Sequence, residues 1–506
     1  MTDKKQITSG LSWNTLTVVL QVVIQIAYTG LLARLVSKDS FMLMGIVLGI
    51  MGFAEIFSQV GVGPALIQRK EVHQQHINGA FYTAIILGLT FTLIFIGSAP
   101  LIASWYQLPE LKPIIAVVCS SFTISALAVV PRSMMMKNMR FKTMFKASMI
   151  SIIGGNLIVG LTLAFLGWNV WAYVWALFAQ NLLMTIALWC YEPVKLTVKW
   201  QWSYTRELIR YGAGSTLFNA LNYLATKLDV LLIPRMMRGQ MPEMLPEQKA
   251  SASYYERANY AMTQPITVMG KLSDSVLFSG MSKLQDEHVK LKKLLKLATS
   301  SLAIILIPTT AFVFFFADEL VNIWLTEAYS ETAVILRILF AAVVFRSLSK
   351  LGDSLLRAKD AVFQGAWFKA IYVLLIAGGI WFTVPLGMKY VAAAIVVATF
   401  IHYVMNMFIC SKLVGIKISD IISALIPATV LGVITWVTSW SVSVVAACAQ
   451  LNNFFSLIAG IGANALILLA AIKFIPGILG NSEVNPLMHL PERFLKNRFM
   501  AGILNR

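Results

Sequence analysis

STLFNALNYLATKLD, residues 215–229, and RANYAMTQPITVMGKLSD, residues 257–274, decide how this chain is read. Each lies in a segment of membrane-spanning length, yet together they hold Lys227, Asp229, Arg257, Lys271 and Asp274. A charge in hydrocarbon costs on the order of 2.5–3.5 kcal/mol by insertion scales, so it is kept against protein or water and is normally functional. In the first stretch Ser215, Asn219, Asn222, Thr226 and Asp229 recur at steps of four, three, four and three, which is one helical face. Lys227 falls roughly opposite Asp229. In the second stretch Arg257, Gln264 and Lys271 repeat every seven residues and share a face. Lys271 and Asp274 are helical neighbours able to neutralise one another. Two helices with polar stripes predict a wet, charge-lined cavity inside a membrane bundle.

The rest of the chain supplies that bundle. Of its 506 residues, 58% are hydrophobic and 13% charged, where a soluble protein carries roughly 25% charged residues. Mean hydropathy is +0.74. Apolar stretches of about 20 residues recur from end to end, each long enough to cross a bilayer as a helix. An all-α, polytopic membrane protein with about fourteen transmembrane helices is expected. Residues 1–191 make a first six-helix bundle and 192–205 a cytoplasmic linker. Residues 206–412 make a second six-helix bundle, 413–477 an appended helix pair, and 478–506 a basic amphipathic tail on the inner leaflet. The two bundles are expected to surround a central cavity. A weak internal repeat agrees: LLARL, residues 31–35, ends the first span and LIPRM, residues 232–236, ends the seventh.

The formal charge of +18 is distributed by loop, which excludes nucleic acid as the partner. Arg132, Lys137, Arg140, Lys142 and Lys146 crowd one connection, and Lys283, Lys290, Lys292, Lys293 and Lys296 another. The alternate loops are sparse in charge or acidic, as around Asp318, Glu319, Glu327 and Glu331. By the positive-inside rule both termini are cytoplasmic. No small-residue cleavage site follows the first apolar run, which is expected to remain as the first span. Cys119, Cys190, Cys410 and Cys448 are scattered through apolar runs and read as small packing residues.

Polar faces recur in both halves. Asn14, Gln21, Gln25 and Tyr28 line the first span, which ends at Arg34, and Glu55 and Gln59 lie one turn apart on the second. Arg346, Lys350, Asp353 and Arg357 form a stripe on the tenth. Lys369 and His402 are isolated ionisable groups on the next two.

Several ordered motifs resemble a known family. GLSW (10–13), LARL (32–35), SKDSF (37–41) and ALIQRKE (65–71) stand in the first half. RYG (210–212), NYL (222–224), YERA (255–258) and SKLQDE (282–287) follow in the second. The chain is similar to polysaccharide exporters of the Wzx type, in the branch of colanic acid and teichuronic acid exporters. Multidrug MATE transporters and the peptidoglycan lipid flippase share their superfamily. The resemblance implies a flippase, not an enzyme. Its cargo would be undecaprenyl-pyrophosphate-linked oligosaccharide, moved across the bacterial inner membrane for O-antigen, capsule or exopolysaccharide assembly. Arg34, Arg257, Lys271, Arg346 and Lys350 are then candidate cations for the pyrophosphate. Asn219, Asn222, Gln21, Gln25 and Gln264 are candidate partners for sugar hydroxyls. Glu55, Asp229, Asp274 and Asp353 are candidate sites for coupling to a proton or sodium gradient. No metal and no cofactor are expected. Membrane lipids and the polysaccharide polymerase machinery are the expected partners. The alternatives are a MATE-like exporter of small cations, which wants an acidic cavity, and a membrane polymerase or ligase, which wants a large outside loop. A major-facilitator transporter is disfavoured by the fourteen spans and the short central linker.

Overall fold

The computed structural model describes residues 2–474 except 60–62, 64, 65, 68–71, 198–201, 238–245, 273–280, 282–286 and 360. For residues 2–12, 53–59, 202–219, 246, 271, 272, 362, 363 and 472–474 it describes the backbone alone. Asp274 and the tail 478–506 therefore lie outside the described residues, as do the side chains of Glu55, Asn219 and Lys271.

Among the described residues all regular structure is helical, and fourteen long helices follow one another. They are α1 (Thr2–Leu35), α2 (Lys38–Gln59), α3 (Gln74–Tyr106), α4 (Leu111–Lys137) and α5 (Phe141–Phe165). Next come α6 (Val170–Tyr191), α7 (Trp202–Met237), α8 (Pro246–Leu272), α9 (His288–Trp324) and α10 (Ser330–Ala358). Last are α11 (Val362–Thr383), α12 (Met388–Val414), α13 (Ile418–Cys448) and α14 (Asn453–Phe474). Their number matches the fourteen helices expected. Eleven of these helices are long and apolar enough, over the described residues, to cross a membrane. The other three are α2, α7 and α8, and α8 carries Glu247, Lys249, Glu256 and Arg257.

Helices are the form a membrane imposes, because the backbone must satisfy its own polar groups where water is absent. The surface agrees. Leu93 and Leu101 of α3 are 68% and 72% exposed, and Leu466 of α14 is 69% exposed. Such large apolar side chains face outward because lipid, not water, is the solvent there. The connection from α5 to α6 is tight, and Gly167 at φ +79° supplies the left-handed backbone that it needs.

The chain forms two compact units: residues 1–257 with 369–391, and residues 258–368 with 392–506. These are groupings by proximity, drawn on a different basis from the two six-span halves of the sequence. α8 contributes to both units, changing over at Arg257/Ala258, and α11 does so at Phe368/Lys369. In the first unit α2 is central, packing on α3, α4, α6 and α7. Gly45 and Gly49 let it come close: a Cβ at Gly45 would lie 2.7 Å from Glu256 Cγ, and one at Gly49 2.7 Å from Leu231 Cδ2. Small residues allow this approach wherever membrane helices associate through packing. α5 is interrupted by a π-helical segment, Ile153–Gly160, which packs on α6. In the second unit α9 packs on α10, α13 and α14.

Candidate functional site

Of the charges that open the sequence argument, Lys227, Asp229 and Arg257 fall in the first unit, where α2, α7 and α8 meet. Asp229 of α7 is 1% exposed and Arg257 of α8 is 1% exposed. Beside Arg257 on α8, Tyr255 and Glu256 are 1% and 8% exposed. Tyr255 donates its hydroxyl to Asp229 Oδ2 at 2.8 Å. The other oxygen, Oδ1, accepts the backbone N–H of Val230 at 2.8 Å. Arg257 donates through Nε and Nη2 to Oε2 of its own neighbour Glu256. The guanidinium also lies 4.2 Å from the centre of the Phe41 ring, close enough for a cation–π attraction. A narrow cavity with room for a single water runs alongside, lined by Met42, Val230, Ala252, Tyr255 and Glu256. The arrangement holds two carboxylates and one guanidinium in a dry setting, each hydrogen-bonded, which is the condition for keeping charges buried.

Toward the α1–α2 connection the cluster is fastened by partly buried polar bonds. Lys38 donates to the Tyr254 hydroxyl at 2.9 Å, and Ser253 donates to the Lys38 carbonyl at 2.7 Å. Lys249 and Asp39 stand 3.9 Å apart. Along α7 in the other direction, Tyr223 donates its hydroxyl to the Leu48 carbonyl at 2.9 Å. Asn222 accepts a bond from Lys369 Nζ of α11 at 3.1 Å. Lys369 is 3% exposed.

Of the candidates from sequence, Asn222 and Asp229 of α7 and Arg257 of α8 all fall in the first unit. Arg34 is also in this unit but exposed at the end of α1, where Nη1 donates to the Gly30 carbonyl at 2.6 Å. Gln21 and Gln25 are half-buried on α1. Gln264 belongs to the second unit and turns back to the Tyr260 carbonyl at 3.2 Å. Arg346 and Asp353, 5% and 4% exposed, lie inside the second unit with half-buried Lys350. There Asp353 accepts from Asn406 Nδ2 of α12 at 3.1 Å. Gly352 makes room for that asparagine, since a Cβ would stand 1.7 Å from Asn406 Oδ1.

Sequence reasoning missed Tyr255, Glu256 and Phe41 as neighbours of the charges, and missed the pairing of Lys369 with Asn222. Glu256 and Arg257 are adjacent, and adjacent residues do not share a helical face. Nothing in the spacing signals their pairing. Lys369 stands out in sequence as a lone charge in an apolar run, a usable signal that names no partner.

A family model described as "Polysaccharide biosynthesis protein" matches residues 31–334. The chain is 22% identical over 469 residues to the teichuronic acid biosynthesis protein TuaB of Bacillus subtilis (strain 168), covering 90% of this chain and 94% of that protein. It is also 22% identical over 368 residues to the lipopolysaccharide biosynthesis protein WzxC of Escherichia coli (strain K12), covering 72% of each. Its fold is similar to that of the lipid II flippase MurJ in an inward closed conformation. The TM-score is 0.69 at 14% identity, over 92% of this chain and 98% of that one.

Proposed function

Because the chain belongs to the polysaccharide biosynthesis protein family, we propose that it carries an undecaprenyl-pyrophosphate-linked oligosaccharide across the bacterial inner membrane by alternating access. It is a multi-pass integral membrane transporter in this reading, with both termini in the cytoplasm and a cargo destined for surface polysaccharide. The names of its relatives point to that cargo, and lipid-linked sugars are the form in which such material meets the membrane. One observation supports the assignment above the others: a guanidinium, that of Arg257, is kept almost wholly buried on a membrane helix within the family-matched region.

The chemistry follows from charge and solvation. A pyrophosphate cannot enter hydrocarbon bare, so donors on the protein must replace its water. Arginine does this with a planar fork that matches two phosphate oxygens. In the present arrangement Glu256 occupies that fork, and the headgroup takes its place when bound. Tyr255 and Asn222 are hydroxyl and amide groups suited to sugar hydroxyls, while the polyprenyl tail stays in the bilayer. Asp229 is the carboxylate best placed to take up a proton or a cation during the cycle, through the oxygen that Tyr255 now holds.

The test is flipping of lipid-linked oligosaccharide in reconstituted vesicles. Arg257→Ala lowers the rate by about tenfold or more, the loss expected of a charge-assisted bond, and Arg257→Lys recovers part of it. Parent-like flipping by Arg257→Ala at normal expression would remove Arg257 from the headgroup site.

A further inference from the structure

α9 leaves helical geometry at Phe316 (φ −102°, ψ 18°), and α10 brings a cation to that bend. Arg337 donates through Nε to the Phe314 carbonyl at 3.0 Å and through Nη2 to Asp318 Oδ2, both on α9. Each charge keeps one side open. Arg337 Nη1 and Asp318 Oδ1 make no bond among the described residues, and the two side chains are 28% and 52% exposed.

Beside the pair, within the second unit, lies a cavity of about 460 Å³. Ligand pockets usually measure about 300–1,000 Å³. Arg337 is its charged member, and Phe314, Ala341, Ala393, Val397 and Trp436 give it apolar walls. The small side chains of Ala341 on α10 and Ala393 on α12 leave the space. Trp436 of α13 is held by Phe314, with ring centres 4.7 Å apart, and by Phe315, at 4.8 Å. Phe314, Val397 and Trp436 are all exposed, so the groove opens on the lipid-facing surface.

Its depth suits a lipid. α10 has 29 residues and is about 43 Å long, against about 30 Å of hydrocarbon. Centred in the membrane, it reaches about 7 Å beyond the hydrocarbon at each end. Arg337 stands about 10.5 Å from the first residue of α10, just inside the level where headgroups meet chains. Its long stem carries the guanidinium toward that level, where Asp318 meets it.

We propose that the groove holds one chain of a resident phosphatidylethanolamine, with its phosphate on Arg337 Nη1 and its ammonium on Asp318 Oδ1. By the positive-inside assignment this lipid belongs to the outer leaflet. A headgroup with both charges meets both open sides and leaves the Arg337–Asp318 bond intact. Bonds between two ions are roughly twice as strong as those between neutral groups. Phosphatidylglycerol has no cation for Asp318. Phosphatidylcholine has one, but its quaternary nitrogen carries no N–H to donate. A polyprenyl phosphate likewise leaves Asp318 unmet.

The experiment titrates the full chain in detergent with the three phospholipids, their chains identical, and counts bound lipid by native mass spectrometry. One phosphatidylethanolamine is expected to bind about tenfold more tightly than either other lipid, the margin of one charge-assisted bond. Asp318→Asn should erase its margin over phosphatidylcholine. Ala393→Phe fills the groove and should remove the tightly bound molecule. Phosphatidylethanolamine with brominated chains should quench Trp436, read as the difference between the parent and Trp436→Phe, and Ala393→Phe should abolish that quenching. Equal affinity for the three lipids overturns the proposal, as does a preference that survives Asp318→Asn. Displacement of the bound lipid by equimolar undecaprenyl phosphate also overturns it, and gives the groove to a polyprenyl chain. Where Ala393→Phe fails to fold, Asp318→Asn, altering an exposed side chain, decides alone. None of these readouts involves flipping, so failure of the transport reading leaves them unchanged.

Discussion

Glu256 is the residue on which the buried site balances. Adjacent helical residues project about 100° apart, so Glu256 and Arg257 meet only because Gly45 and Phe41 leave them a pocket in which to fold toward each other. Glu256→Gln leaves the guanidinium buried beside a neutral amide, and breaking one side of a buried pair costs about 3–5 kcal/mol. A thermal unfolding scan in detergent should show a clear fall in Tm, and an unchanged Tm would mean that water or another group satisfies Arg257. Tyr255→Phe removes the donor to Asp229 and should cost less, about 1–3 kcal/mol. At this scale the sequence showed which residues were unusual but not whom they touched. Asp229 was legible because period and polarity coincide along α7. Lys369 and Asn222 are 147 positions apart, and no local pattern encodes a contact at that range.

At the scale of elements, legibility follows hydropathy. The helices were readable because lipid demands long apolar runs, as in α9, His288–Trp324. The π-helical segment was not readable, because one wide turn leaves the apolar run unbroken. Its packing yields a sharp expectation. A Cβ at Gly155 would lie 2.6 Å from Gln180 Cβ and 2.7 Å from the Gln180 Cα and backbone nitrogen of α6. Backbone cannot swing aside, so Gly155→Ala should cost at least the 1–3 kcal/mol typical of overpacking and lower the yield of folded protein. Gly352→Ala on α10 is a parallel case, with the obstacle a side chain that Asp353 and the Ser349 carbonyl hold in place. Wild-type Tm in both variants would show that the helices separate more easily than their packing implies.

For the whole molecule, the proposed topology has fourteen crossings, an even number, and so both termini on one side. Reporter fusions at residue 1 and residue 506 should both read as cytoplasmic. Opposite readings would remove the assigned topology. The fold was within reach of sequence through physics, and the family through resemblance. Coupling belongs to this scale too. Flipping should speed up under an imposed proton or sodium gradient, and Asp229→Asn should abolish that response. Indifference to both gradients would leave Asp229 a structural partner of Tyr255.

The π-helical segment of α5 also bears on how the gene can change. A π turn stores one residue more than an α-helix needs over the same rise, while the helix on either side keeps its phase. Removing one residue between 153 and 160 should let the segment relax to an ordinary α-helix with its flanks undisturbed. Anywhere else in α5, the same deletion rotates everything beyond it by about 100°. A single-codon deletion scan should therefore find a tolerant window inside this helix, and comparisons among relatives should place a gap in the same window.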